Sequence, residues 1–181
     1  MMWLRMGPLL LSILILVWVF MLIVVHETGH FILGWVGGLP ARDMKIRLLT
    51  FPQHVALRDG AEWVSPIRDI RRYVAVTRRH FHTRAAAFAW VAGGMMLELL
   101  WTGAVCGAVL FAGYRPIAFW FAVISLGMYA INVGLMDLPW ALRYRTAAGD
   151  TSGLWEIAPL PAVIFSLAMV ASRILLVVGC A

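Results

Sequence analysis

Three ionisable residues stand close together in the sequence VVHETGHFIL, which covers positions 24–33. His26 and His30 are four residues apart, a spacing that brings two side chains onto one face of an α-helix, one turn from each other. Two imidazoles in that arrangement can bind one zinc ion. Glu27 completes the HExxH pattern, in which the glutamate acts as general base on a zinc-bound water. The pattern therefore predicts a hydrolytic zinc site with His26 and His30 as ligands and Glu27 as the base.

The residues around this motif are those of a membrane protein. Hydrophobic residues make up 62% of the 181-residue chain and charged residues only 13%. A soluble domain has about 25% charged residues, so the composition predicts an integral, multi-pass membrane protein surrounded by lipid. The formal net charge of +6 fits cytoplasmic loops better than nucleic-acid binding, and we expect no nucleic-acid partner. Ionisable side chains inside a spanning helix are costly and mark functional sites.

Four apolar stretches are long enough to span a bilayer as helices. They cover residues 8–36, 85–112, 116–136 and 159–180. A cleaved signal peptide is the alternative for the first stretch, but its pattern continues helically through His30. In the second stretch, Gly103 and Gly107 predict a close helix contact. We therefore expect one membrane-embedded domain over residues 1–181, an all-α polytopic fold with about four transmembrane helices.

The connection over residues 37–84 has structure of its own. It holds ten of the fifteen lysines and arginines, so the positive-inside bias places it, and the active site, on the cytoplasmic side. Short strands are predicted at 44–50, 53–57 and 61–65, with Asp59-Gly60 as the turn of a small β-hairpin. Ser65-Pro66 indicates a helix start. The apolar and arginine residues that follow predict a basic amphipathic helix at the membrane interface.

A catalytic zinc site usually takes a third protein ligand and leaves one position for water. Apart from Glu27, the acidic residues outside the large connection are Glu98, Asp137, Asp150 and Glu156. His30 is about 9 Å of helix from the end of the first stretch, so the site is expected near the cytoplasmic surface, where Asp137 and Asp150 also lie. Glu98 is about 20 Å along the second helix from its inner end and is not expected to reach. These residues alone leave Asp137 and Asp150 open as the third ligand.

Taken together, these motifs resemble the site-2 protease family of intramembrane zinc metalloproteases, as a small divergent member. HETGH near the end of the first stretch is followed by an extended, partly stranded segment. VAGGMMLEL at 91–99 is similar to the small-residue segment that opens the family's next core helix. NVGLMDLP followed by AAGDTSG is similar to the family's N-x-x-P…D-G element, whose aspartate is the third zinc ligand. The resemblance covers residues from about 15 to 160.

The resemblance implies an intramembrane zinc endopeptidase that cleaves single-span membrane proteins. Its single Zn²⁺ would be bound by His26, His30 and Asp150, with Glu27 as the general base. Asn132, expected as a buried amide, would hold the substrate backbone or the oxyanion, and an interhelical hydrogen bond is its alternative role.

Departures from the family pattern leave alternatives for the third zinc ligand and for the function. Gly94 stands where the family usually has proline, and Asn132 precedes Pro139 by seven residues rather than three. Asp137 is the runner-up for the third ligand, because DLP is where the asparagine–proline element could also be laid, and Glu156 is a distant third. The irregular third motif leaves open a non-proteolytic membrane scaffold or regulator. A metal transporter is a further alternative, although the other stretches carry no second row of acids or histidines.

Overall fold

Long apolar helices dominate the computed structural model, which describes residues 7–145, 147 and 149–181. Within this part of the chain, four helical stretches are long and apolar enough to cross a membrane. They are Leu9–Val36, Arg84–Phe111, Arg115–Arg143 and Pro159–Cys180. The four long helices and the small sheet that the sequence predicts are thereby confirmed, and the third stretch extends beyond its predicted end at residue 136.

The elements follow the chain in a simple order. They are α1 (Pro8–Val36), β1 (Met44–Arg47), β2 (His54–Asp59), β3 (Glu62–Val64), α2 (Ile70–His80), α3 (Arg84–Phe111), α4 (Arg115–Ile131), α5 (Leu138–Tyr144), α6 (Asp150–Ile157) and α7 (Pro159–Cys180). Proline lies in the first turn of α1, α4 and α7. That position suits proline, because the first backbone N–H groups of a helix have no partner within it.

The third long helix continues past residue 136 through a π-helical segment, Asn132–Asp137, into α5. Pro139 has no backbone N–H and its ring crowds the carbonyl of the preceding turn, which disrupts regular α-helical bonding there. A wider π turn is one of the known ways in which a helix accommodates such a disruption. The helix finally ends at Arg145, whose φ of 51° is left-handed.

Glycines bring α1 and α3 into direct backbone contact. A Cβ atom on Gly29 would lie 2.2 Å from the carbonyl oxygen of Gly93, and a Cβ on Gly93 would lie 2.7 Å from the carbonyl oxygen of Gly29. The predicted contact at Gly103 and Gly107 is wrong, because among the described atoms their Cβ positions face open space. Small residues mark a helix contact only where they face the partner helix, and here that face lies earlier in α3.

The strands form one antiparallel sheet in the order β1-β2-β3. Asp59 pairs with Glu62 across the hairpin, and Gly60 between them has a φ of +64°, which glycine adopts without strain. The buried residues of the sheet join a core with residues of the helices. Its members are Leu39, Met44, Val55, Leu57, Val76, Phe81 and Trp90. The sheet is thus packed against the C-terminal part of α1 and the first turns of α3.

Helix α2 begins at Ile70 and not directly after Ser65-Pro66. Its N-cap is Asp69, whose carboxylate accepts a hydrogen bond of 3.0 Å from the backbone N–H of Arg72. The hydroxyl of Ser65 instead accepts from the N–H of Ile67, which closes a turn before the helix. Serine and aspartate both cap helices well, and α2 uses the later of the two, Asp69. The interfacial location of α2 stays a prediction.

Part of the apolar face of α2 packs on the sheet. Val76 is buried, and the hydroxyl of Tyr73 donates a hydrogen bond of 2.8 Å to the carbonyl of Val55. On the exposed side, Arg72 and Arg79 lie 2.7 and 2.8 Å from the carboxylate of Asp59. Hydrogen bonds from these two guanidinium groups hold the pKa of Asp59 below its usual value. The basic helix is therefore tied to the hairpin turn through charged groups.

Candidate metal centre

Three side chains from distant parts of the sequence converge at one point. His26 and His30 come from α1 and Asp150 is the first residue of α6. Asp150 Oδ2 lies 2.8 Å from His26 Nε2 and 3.3 Å from His30 Nε2, and the two Nε2 atoms are 3.2 Å apart. The ligand atoms of a tetrahedral zinc ion lie about 3.3 Å apart, given metal–ligand bonds of about 2.0–2.1 Å. The three atoms therefore have the spacing of ligands around one ion.

Helix α3 orients both imidazole rings from the opposite side. His30 Nδ1 donates to the backbone carbonyl of Trp90 at 3.0 Å, and His26 Nδ1 lies 3.4 Å from Glu98 Oε2. A carbonyl oxygen only accepts hydrogen bonds, so His30 carries a proton on Nδ1 and is free to offer the Nε2 lone pair. Such contacts to the far nitrogen of a ligand histidine set its tautomer and ring orientation.

Gly94 leaves the space that the two imidazoles need. A Cβ atom there would lie 2.5 Å from His30 Nε2 and 2.7 Å from His26 Nε2, closer than side chains pack. Any residue other than glycine would therefore push both ligand nitrogens away from the point where they meet. The segment VAGGMMLEL thus has a direct part in the geometry of the site.

We expect Gly94→Ala to weaken zinc binding by at least about tenfold, the lower end of what changes next to ligand histidines cost. Gly103→Ala is the matched control, since it makes the same change in the same helix at a position with open space. Zinc content of the purified variants, with circular dichroism to compare their helicity, gives the measurement. Full zinc occupancy in Gly94→Ala at wild-type affinity would contradict this role of the glycine.

Asp137 does not belong to the group formed by His26, His30 and Asp150. Its carboxylate accepts a hydrogen bond of 2.9 Å from the backbone N–H of Ser152 and another from the Ser152 hydroxyl. These contacts satisfy donors in the first turn of α6 and place a negative charge at the positive end of that helix. Asp137 therefore holds the start of the helix that carries Asp150. Glu156 accepts a hydrogen bond of 2.6 Å from the backbone N–H of Ala147, which precedes α6 in the chain.

The charge state of Asp150 suits a metal ligand. Burial raises the pKa of this carboxyl, but its close contacts with the imidazoles of His30 and His26 outweigh burial and hold the pKa below its usual range. Asp150 is therefore ionised at neutral pH, as a carboxylate ligand must be. Burial and the nearby charges of Glu27 and Asp150 raise the pKa of Tyr73 in α2 well above its ordinary value.

Glu27 is buried beside the group with one oxygen unused. Glu27 is 6% exposed, and its Oε2 has no hydrogen-bond partner within the described part of the chain. A buried carboxylate oxygen without a partner is costly, so its retention points to a ligand or water that completes it. Two imidazoles, an ionised carboxylate and an adjacent unpartnered base are a donor set that fits zinc and a reactive water.

Asn132 is not the buried amide that the sequence predicts. The inward side of its helix passes through Ser125, Tyr129, Val133 and Asp137. These residues are four apart, the spacing that the wide π turn favours, and Asn132 lies one residue off this line with an exposed side chain. The structure therefore does not bring Asn132 to the ligand group, and a role in holding substrate has no support from its position.

Glu98, which was not expected to reach the site, contacts His26. The expectation counted the depth of the site from His30, whereas His26 lies one turn deeper, about 15 Å from the end of α1. The glycine contact between α1 and α3 then brings Glu98 within reach. An ionisable residue inside a long apolar helix is itself a signal of function, and it could have been used to find Glu98.

Comparison of the chain with protein-family models, with curated proteins and with solved structures gives no match. The resemblance to the site-2 protease family therefore stays a prediction based on short motifs. The chemistry that the site supports follows from the geometry of its own residues.

Proposed function

We propose that this protein is a membrane-embedded zinc endopeptidase that cleaves single-span membrane proteins and opens to the cytoplasm. One observation carries the proposal. The donor atoms of His26, His30 and Asp150 converge beside the buried carboxylate of Glu27, whose Oε2 has no hydrogen-bond partner among the described residues. Zinc hydrolases use this combination of two histidines, a carboxylate ligand and a neighbouring glutamate base.

A membrane setting is supported by the surfaces of the long helices. In the most apolar part of α1 only 11% of the residues are buried, and in α7 only 17%. Leucines such as Leu160 and Leu167 of α7 are 71% and 66% exposed. Apolar surface of this extent needs a non-aqueous solvent or a partner, and helices are suited to lipid because they satisfy their own backbone hydrogen bonds.

The reaction follows from the roles of the residues. Zinc held by His26, His30 and Asp150 would lower the pKa of a water to about 7 and polarise the scissile carbonyl. Glu27 takes the proton of the attacking water on its unpartnered oxygen and delivers it to the nitrogen of the leaving amine. The peptide C–N bond breaks, the hydroxyl stays on the carbonyl carbon, and the proton leaves with the amine. The anchored Nδ1 atoms keep both rings in place throughout.

Water can reach this site although it lies among apolar helices. The side chains of His26 and Asp150 are 14% and 23% exposed. The C-terminal part of α1 carries His26 and His30. It lies, with Asp150, at the same end of the helices as the sheet and the basic connection 37–84. The positive-inside bias of that connection supports a cytoplasmic opening.

The substrate must present an extended segment. Carbonyl groups in a helix are engaged in backbone hydrogen bonds, so a spanning substrate helix has to unwind before a carbonyl can be attacked. The edge strands of the small sheet, β1 and β3, offer backbone groups to which an extended segment could add. Substrates with helix-breaking residues in their spans are therefore favoured.

A metal transporter fits the structure less well. Beyond His26 a moving cation would meet Glu98, and this carboxylate already pairs with the fully buried guanidinium of Arg173 at 3.2 Å. A buried positive charge at this point repels a second cation.

The zinc content of the purified protein tests the proposed metal site directly. We expect the protein purified in detergent to contain one zinc ion per chain, and to cleave single-span reporter proteins whose spans carry glycine and asparagine pairs. Removal of the metal by a chelator should abolish cleavage, and added zinc should restore it. A protein that takes up no stoichiometric zinc would contradict the proposal and favour the scaffold or regulator.

A further inference from the structure

A buried ion pair lies on the Nδ1 side of the His26 ring. Glu98 of α3 and Arg173 of α7 are 7% and 0% exposed, and Glu98 Oε1 lies 3.2 Å from Arg173 Nη2. The same oxygen accepts a hydrogen bond of 3.1 Å from the hydroxyl of Ser125. Oε2, the other oxygen, lies 3.4 Å from His26 Nδ1. The carboxylate therefore has one oxygen for the pair and one for the imidazole.

Arg173 is held for this contact by its own surroundings. Its guanidinium carbon lies 4.4 Å from the ring centroid of Tyr129, and Nη1 lies 3.5 Å from the carbonyl of Met169. A fully buried guanidinium is expensive in a protein interior and is retained only with such partners. Neither Arg173 nor any other residue of α7 belongs to the ligand group, so the pair has no evident purpose in direct binding of a metal.

We propose that Glu98 is a positioning residue that accepts the Nδ1 proton of His26 when Nε2 binds a metal, and that Arg173 holds Glu98 in place for this task. The inference rests on the proposed function in that His26 is taken as a ligand through Nε2. It extends that function by making α7 a part of the site.

The reason is that His26 lies between two carboxylates. Nδ1 lies 3.4 Å from Glu98 Oε2, and Nε2 lies 2.8 Å from Asp150 Oδ2. A neutral imidazole has one proton, which it donates to one of them. On Nδ1 this proton leaves the Nε2 lone pair free for a metal, whereas on Nε2 it occupies the binding position. Because the contact to Asp150 is the shorter one, a metal that binds Nε2 has to move the proton to Nδ1, where Glu98 accepts it. Without Glu98 this buried proton loses its acceptor, and metal binding is weaker.

The test compares the wild type with Glu98→Met/Arg173→Met and with Thr102→Val. The double variant removes both charges together, so no unpaired buried charge remains, and replacements of this kind are usually tolerated. Thr102 is the control because it is equally buried, lies one turn from Glu98, and donates its hydroxyl to the Glu98 backbone carbonyl at 2.8 Å. Zinc affinity is measured by competition with a chelator, and the ¹H shift of the His26 Nδ1 proton is measured in zinc-loaded protein.

In wild type and Thr102→Val we expect equal zinc affinity and a His26 Nδ1 proton shifted downfield by its hydrogen bond to a carboxylate. In the double variant we expect that downfield shift to be lost and zinc binding to weaken about 10–100-fold. A purely structural role predicts that the double variant, once folded, binds zinc like the wild type, so affinity within twofold would overturn the inference. A zinc-loaded wild type without the downfield Nδ1 proton would overturn it even if the variant does not fold. If the wild type binds no zinc, the proposed function fails and this inference with it, whereas bound zinc with equal affinities overturns the inference alone.

Discussion

Replacement of Glu27 by glutamine is expected to abolish cleavage while one zinc ion stays bound per chain. Glutamine has nearly the same shape, but its amide cannot take a proton from the attacking water. Loss of a general base costs about 10²–10⁴ in rate. The ligands His26, His30 and Asp150 are unchanged by the substitution, so zinc content should not fall. Cleavage of the single-span reporters and zinc analysis are measured on the same preparation.

The environment of Glu27 gives this experiment a further readout. Because Oε2 is buried without a partner in the described part of the chain, neutralising the side chain removes a desolvation cost. We therefore expect the melting temperature of Glu27→Gln to equal or exceed that of the wild type. Asp69→Asn, a change of acid to amide at the exposed N-cap of α2, is the control and should keep full activity, because asparagine also caps helices. Retained cleavage in Glu27→Gln would remove Glu27 from the role of base.

Replacement of Asp150 by alanine is expected to remove zinc from the protein. The substitution deletes the oxygen that approaches both Nε2 atoms, at 2.8 and 3.3 Å. A three-ligand site that loses its only carboxylate also loses the charge that offsets the metal, and we expect at least about a hundredfold weaker binding, the upper end for changes near such sites. Zinc content and chelator competition measure the effect.

Asp137→Ala is the matched comparison, because Asp137 was the sequence-based alternative for the same role. Its carboxylate caps the first turn of α6 through Ser152, so its loss should destabilise that turn by about 0.5–2 kcal/mol, as loss of a cap does. Zinc binding should weaken less than in Asp150→Ala, because all three donor atoms remain. Loss of zinc in Asp137→Ala alone would reverse the assignment of the ligand.

The local features of this protein were determined by the sequence itself. Apolar runs of 18 residues or more predict long helices because a helix satisfies its backbone groups internally. The four-residue spacing of His26 and His30 places both on one helical face, with no other element needed. Asp59-Gly60 likewise predicts its hairpin turn, since glycine adopts the required positive φ. Each of these properties depends on residues within one or two turns of each other.

The contacts between distant elements were decided only by the tertiary structure. Asp137 and Asp150 could not be separated by type or spacing, since the choice depends on how α6 packs against α3 and α7. Asn132 was displaced from the inward side by a π turn, whose residue spacing differs from that of an α-helix. Glu98 reached His26 because Gly29 and Gly93 let two helices approach within backbone contact. These outcomes depend on the depth and rotation of whole helices, which are set by packing between elements and not by local sequence.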